Sequence, residues 1–430
     1  MNTITTFEYS YLAYKEILGD TINYESLSKL NTLISDNYAH MLRTDLEGIH
    51  IQNFVGVIKL GDTLVEILPK IYNKDYTTLN NGTKTEIYKN LYYMINKALK
   101  IPSHNIDFNN YDVSQGTILD FFINLFLENL SLKLLKGMYR TYVREEENSE
   151  FIKGKILISK NILTNPLNLK MYSEFDNYTE DNIVNQIFKY VVNDMIKNTL
   201  WPKNKVLAKQ ILLRLSDVTD IYVNESTFTK VKYDRILIDF ETLLNFAKFY
   251  ILSQSLDFNG SKESDVFIFN IDMNTVYQDY ISEVIKEYSS EVTNHSIIHT
   301  QKSGKHLIFD KFNNGRFNLQ PDISIEKNKE IQVIIDTKYK KLIQSKPKKG
   351  VSDKDIYQMF GYYHKYQKPK IILLYPEYES SVSDVYTFYL DSKTTLNVST
   401  INLKGPLYTK EGERHIVERL TEIILELGQN

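Results

Sequence analysis

Apolar and polar residues change their spacing twice along the chain, and the changes predict its elements. From about residue 47 to 71, GIHIQNFVGVIKLGDTLVEILPKI alternates apolar and polar positions around Gly61-Asp62, a dipeptide suited to a hairpin turn. From about 85 to 256 the spacing is helical. Ile183, Val184, Ile187, Phe188, Val191, Val192 and Met195 keep it, as do Leu243, Leu244, Ala247, Tyr250 and Ile251. A strand-like piece, EFIKGKILIS at 150–159, interrupts that region. Beyond the polar, turn-rich DFNGSKESD at 257–265, helix and strand signals alternate. Helices are expected over Asn274 to Tyr288, Ser352 to Tyr366 and 413–428, and strands near 297–301, 306–311, 371–375 and 385–390. The expected fold is α+β and multidomain. It has a β-rich part over 1–84, a mainly helical middle over 85–264, and a mixed sheet flanked by helices over 265–430.

The longest apolar run, ILDFFINLFLENLSLKLL at 118–135, has the look of a membrane span, but Asp120, Asn124 and Glu128 recur every fourth residue along it. That polar stripe predicts a largely buried helix of a protein without a membrane segment. A chain of 430 residues is long enough for two or three cores. It has no cysteine, which excludes disulfides and cysteine-held zinc and suits a cytoplasmic location. No secretory leader is apparent. Eight scattered histidines lack the H-E-x-x-H spacing of a zinc hydrolase, and no G-x-S-x-G elbow occurs. HTQKSGKH at 299–306 has histidine at both positions where a phosphate-binding loop needs its first glycine and its Ser or Thr, so this chain is expected to bind no nucleotide itself.

A net charge of −3 argues against a general nucleic-acid coat. The densest basic stretch, KYKKLIQSKPKKG, sets Lys340, Lys341, Lys346, Lys348 and Lys349 beside Lys338 and offers a local field for phosphates.

Candidate chemistry lies in LQPDISIEKNKEIQVIIDTKYKK at 319–341. On the first strand Asp322, Ser324 and Glu326 share a side, and on the second Gln332, Ile334, Asp336 and Lys338 do. A three-residue loop at Lys327–Lys329 sets Asp322 diagonal to Asp336 on one face. A two-residue loop without a bulge separates them, so a joint site requires the odd loop or a bulge. Two such carboxylates suit Mg²⁺ or Mn²⁺, and Lys338 is placed to orient water and offset charge on a phosphate. On the following helix Gln358 and Tyr362, four residues apart, share a face.

Pro321-Asp322, Asp336-Thr337-Lys338 and Gln358 with Tyr362 resemble the PD-(D/E)xK nuclease pattern, in the branch where a Q-x-x-x-Y helix follows. A longer ordered set is similar to the McrC family, the nuclease subunit of McrBC modification-dependent restriction systems. It comprises VGVIKLGDTLVEILPKI at 55–71, EDNIVNQIFKYV at 180–191, IDMNTVYQDYI at 271–281, LQPDISI, IDTKYK, DIYQMFGYYHKY and LLYP at 373–376.

The resemblance implies a restriction-endonuclease-like fold for 265–430, with Asp322, Asp336 and the Thr337 carbonyl as metal ligands and Lys338 as the catalytic lysine. Gln358 and Tyr362 would support the site or the DNA phosphate. It also implies a separate McrB-like AAA+ GTPase ring that recognises 5-methylcytosine-type modified DNA. The N-terminal part would dock on that ring, with Lys59, Gly61, Asp62 and Thr63 at the hairpin tip as the expected contacts. One departure stands out. Gln278 occupies the place of a usual glutamate, so an acid is missing there unless Asp279 substitutes, and a helix turns the two about 100° apart. Two other functions fit the same residues: a stand-alone RecB-like nuclease, and a catalytically weak regulator of the ring.

Overall fold

A strand from the C-terminal half completes the N-terminal sheet. In this computed structural model Val266–Ile271 pairs antiparallel with Val55–Leu60, next to Thr63–Leu68 and then Asn2–Phe7. Gly56 permits the close approach. Its φ is 143°, and a Cβ there would stand 2.0 Å from the Phe269 carbonyl oxygen. The described residues are 2–18, 24–60, 63–72, 81–100, 116–165, 170–232, 235–254, 266–294, 296–302, 304–366, 369–378, 382–388 and 391–425.

They divide into two compact units, Met1–Ile118 with Ser253–Asn430, and Leu119–Leu252. This differs from divisions near 84 and 264. The shared sheet is one reason. Another is the helix Asn81–Ala98, expected in the helical middle, which packs on Met273–Glu287 and sends Lys97 to Glu287 at 2.5 Å and Glu413 at 2.6 Å.

The first unit also holds a six-stranded sheet, in the order Ile297–Thr300, Ile323–Lys327, Glu330–Thr337, Lys370–Pro376, Asp391–Ile401, Ser383–Phe388. Its centre is parallel, with Lys370–Pro376 between Glu330–Thr337 and Asp391–Ile401. A strand buried on both faces needs an unbroken apolar run, which explains IILLY. On one face Ile334, Ile371, Leu373 and Tyr375 pack against Met359, Tyr362 and Tyr363 of the helix Asp353–Lys365. Ser352 caps that helix by accepting from the Asp355 amide. The eleven-residue strand Asp391–Ile401 was not expected, because its buried positions include Asn397, Ser399 and Thr400.

In the second unit the helices Ile183–Asn198, Pro202–Arg214 and Ile238–Leu252 pack with the body of Ile118–Lys136. The expected strand at 150–159 shrinks to Lys155–Ile156 and gives way to a helix at Ile158–Thr164. The sheet is carried instead by Thr141–Ser149 and Met171–Thr179, whose polar sequences hide the strand period. The Asp120 stripe is a joint between helices. Asp120 accepts from the Thr199 hydroxyl at 2.7 Å and the Leu200 amide at 2.6 Å, Asn124 accompanies Asn204, and Glu128 meets Lys203. No helix among the described residues is long and apolar enough to cross a membrane.

Candidate active site

The hairpin of Ile323–Lys327 and Glu330–Thr337 turns on two residues, Asn328 and Lys329, both with positive φ (54° and 66°). The three-residue loop is therefore not the one used, and a bulge restores the parity instead. Lys327 pairs with Glu330 and Glu326 with Ile331, but Ile325 pairs with Val333, leaving Gln332 as the extra residue. Ile323 then faces Ile335, and one step beyond the pairing Asp322 stands opposite Asp336. Thr337 locks this end, donating from its amide and its hydroxyl to Asp322 Oδ2, each at 2.8 Å.

The two carboxylates are unequal. Asp322 has the Thr337 donors, whereas Asp336 is 0% exposed and neither of its oxygens receives a well-directed hydrogen bond. Lys338 Nζ lies 2.5 Å from Asp336 Oδ2 as an ion pair, and Asp336 Oδ1 has no partner. Burial pushes the Asp336 carboxyl up to about 7, with the Asp322 charge adding and Lys338 opposing. Asp322 is also raised by burial, against the Thr337 hydrogen bonds.

Lys338 Nζ also donates to Gln358 Oε1 at 3.2 Å. Gln358 Nε2 donates to the Tyr362 hydroxyl at 2.9 Å, which donates to the Gln320 carbonyl at 3.1 Å. This relay ties the strand after Asp336 to the helix Asp353–Lys365 and to the segment before Asp322. Thus Asp322, Asp336, Thr337, Lys338, Gln358 and Tyr362 come together.

Other expected residues do not join them. Lys340 is held by both oxygens of Asp355 at 2.8 Å and Lys348 by Asp353 at 2.5 Å, while Lys341 lies 4.3 Å from the Tyr378 ring centre. Lys346, Lys348 and Lys349 sit in the turn around 343–350, with Lys346 exposed. Of the expected docking tip, Lys59 and Thr63 are half-buried strand ends, and Gly61 and Asp62 lie outside the described residues.

Burial and the Glu283 charge raise the carboxyl of Asp279, the neighbour of Gln278, and the Asp322 charge adds to this, so Asp279 lies within electrostatic reach of the site. No group of three or more His, Cys, Asp or Glu arranged for a metal occurs among the described residues, and the acidic pair is Asp322 with Asp336. Behind Lys338, Lys70 pairs with Glu8 at 3.4 Å, both buried, and lies 4.0 Å from the Tyr339 ring centre. Residues 8, 70 and 339 have no local spacing that could have signalled this.

A mixed sheet that brings a buried and a half-buried carboxylate, a lysine and a glutamine to one strand end defines a site suited to a divalent cation and an anionic substrate. The family model described as "McrBC 5-methylcytosine restriction system component" matches residues 49–376. The chain belongs to that family and is a component of a restriction system of the McrBC type. Its fold is similar to a chain of a Thermococcus gammatolerans assembly described as McrB AAA+ hexamers with bound McrC. The TM-score is 0.67 at 21% identity, over 98% of this chain and 100% of that one. A cryo-EM structure of the Thermococcus gammatolerans McrBC complex aligns over 66% of this chain and 87% of that chain, with 21% identity and a TM-score of 0.48. No curated protein matches the sequence.

Proposed function

We propose that this chain is the DNA-cleaving subunit of its restriction system, a PD-(D/E)xK endonuclease that works with a separate McrB-like AAA+ GTPase. One observation carries the nuclease reading: a buried carboxylate, Asp336, with no well-directed hydrogen bond, set opposite Asp322 by a bulge. Buried carboxylates are normally hydrogen-bonded or paired, or they hold a metal, and a cation here offsets the burial of two like charges.

Asp322, Asp336 and the Thr337 backbone carbonyl would hold Mg²⁺ or Mn²⁺. When bound, such an ion supplies Lewis-acid chemistry toward a phosphate oxygen and lowers the pKa of water. Lys338, steered by Gln358, presents its ammonium where negative charge grows on the phosphate. Gln358 acts through Lys338 as a positioning residue, and Tyr362 keeps its helix registered to Gln320. The partner reading is supported by the family and by the assembly of similar fold in which McrC is bound to McrB hexamers. Docking through the hairpin tip at Lys59, Gly61, Asp62 and Thr63 belongs to this proposal.

The test compares DNA cleavage with Mg²⁺ by the chain alone and with the AAA+ partner and GTP. Cleavage is expected with the partner, and chelator should abolish it. Equal cleavage by the isolated chain would favour a stand-alone nuclease.

A further inference from the structure

The strand that leads into Asp322 belongs to an outer hairpin whose surface has no structural explanation. Lys305–Phe309 and Gly315–Leu319 pair antiparallel, and Gln320 and Pro321 are all that separate the second strand from Asp322. The base of this hairpin is fixed to the helix of the lysine relay. Leu307 and Leu319 lie 3.5 and 3.8 Å from where a Cβ on Gly361 would stand. Lys305 Nζ donates to the Lys365 carbonyl at 2.8 Å, and the Tyr366 hydroxyl reaches the Leu319 carbonyl at 3.4 Å. Gly361 is three residues from Gln358, so the hairpin rests one helical turn from the group that holds Lys338.

Its far end is ordered and apolar. Asp310 accepts from the Phe312 and Asn314 amides at 2.9 Å and from Arg316 Nη2 at 3.0 Å, which preforms the turn. Yet Phe312 is 73% exposed, Phe317 72% and Phe309 56%. Phe317 has φ 55°, a left-handed conformation that is a genuine outlier for a bulky side chain. Exposed rings contribute little to folding, and strain of this kind persists where the chain meets a ligand. Around the rings the charge is mainly of one sign. Residues 302–318 carry Lys302, Lys305, Lys311 and Arg316 against Asp310; Lys302 is paired with Glu326 at 3.1 Å and Arg316 with Asp310 at 3.0 Å, which leaves Lys305 and Lys311 as the surplus. Lys311 and the nearby Lys365 have no carboxylate partner among the described residues.

We propose that this hairpin is a DNA wedge: Phe312 and Phe317 insert between base steps beside the strand held at Asp322 and Asp336, and Lys311 and Lys365 take the flanking phosphates. The proposal rests on the nuclease reading and extends it to how the substrate is gripped. Phenyl rings stack on any base without reading its edge, and apolar wedges of this type unstack and kink a duplex. A preformed turn keeps the ordering cost of binding low. An exposed apolar patch alone would equally suit a protein, but a rim in which cations outnumber carboxylates suits a polyanion.

The test uses the full chain with its AAA+ partner and a fluorescent DNA duplex that the complex cleaves. Phe312→Ala with Phe317→Ala should raise the DNA Kd about tenfold or more, the loss expected when stacked rings are removed. Thermal melting and GTPase activity should stay at the parental values. Phe312→Trp, which retains a stacking ring, should keep parental affinity, and Lys311→Ala should lower the salt slope of binding by about one. Unchanged DNA affinity in the double variant would overturn the wedge. So would parental affinity combined with lost association with the partner or with a second copy, which would make the hairpin a protein contact. Asp336→Ala separates the two levels: parental cleavage by it removes the nuclease assignment, while the hairpin is judged on binding alone.

Discussion

Glu66 and Asp336 are both carboxylates at 0% exposure, and their surroundings differ completely. Glu66, on Thr63–Leu68, accepts from the Thr5 hydroxyl at 2.9 Å, the Ile118 amide at 2.7 Å and the Tyr88 hydroxyl, and pairs with Lys84 at 2.7 Å. Asp336 has an ion pair with Lys338 and no well-directed hydrogen bond. Burial therefore does not distinguish a structural acid from a candidate metal ligand, whereas the state of their lone pairs does. A satisfied buried acid joins elements: Glu66 ties the first strand, the sheet and two helix starts together. An acid left unsatisfied in a folded protein needs a further partner to account for it. Asp120 in the second unit belongs with Glu66, since it collects the Thr199 hydroxyl and the Leu200 amide.

The contrast breaks first at Asp336. Asp336→Ala should reduce metal-dependent cleavage, assayed with the partner and GTP, on the order of a thousandfold, as expected for loss of a cation contributing several kcal/mol. Melting in chelator should show a smaller loss than at Glu66, because the substitution relieves the repulsion from Asp322 and leaves Lys338, which loses its carboxylate, still bonded to Gln358. Mg²⁺ should raise the melting temperature of the parent and leave the variant unmoved, since only a ligand bound to the native state stabilises it.

Glu66→Ala should do the opposite. It strands the Lys84 ammonium and the Ile118 amide, so denaturant unfolding should report a loss of about 3–5 kcal/mol. Cleavage per folded molecule should remain near parental under stabilising conditions. A mild effect on stability would place Glu66 with Asp336 and dissolve the distinction.

A smaller effect sharpens the comparison at the relay. Gln358→Ala leaves both carboxylates in place and Lys338 held by Asp336 alone, and should cost about 10–100-fold in cleavage, the range for residues that orient a functional group. Mg²⁺ stabilisation in the melting assay should be retained. Loss of that stabilisation would show that Gln358 shapes the metal site itself.

The residue types of the site, and the helix and strand that present them, were legible in the chain. Asp322, Asp336, Lys338, Gln358 and Tyr362 are short-range signals, and Ser352 with the apolar spacing after it marks the relay helix within a residue. The unbroken IILLY run announced a strand, and the structure buries it on both faces. Local spacing could do this because it records how one element buries its own side chains. The parity of Asp322 and Asp336 depended on which strand absorbs an extra residue, and only the pairing with its bulge at Gln332 decided it. The same holds for strands whose buried positions are polar, such as Asn397 and Ser399, and for the edge that Val266–Ile271 finds on Val55–Leu60, about 200 residues earlier. Charge followed this rule too. Sequence showed a run of lysines, but tertiary structure spent Lys340 and Lys348 on Asp355 and Asp353, and left the aromatic hairpin beside Asp322 with rings exposed and cations to spare. Composition states which groups a chain owns; which of them are already satisfied is settled when distant segments meet.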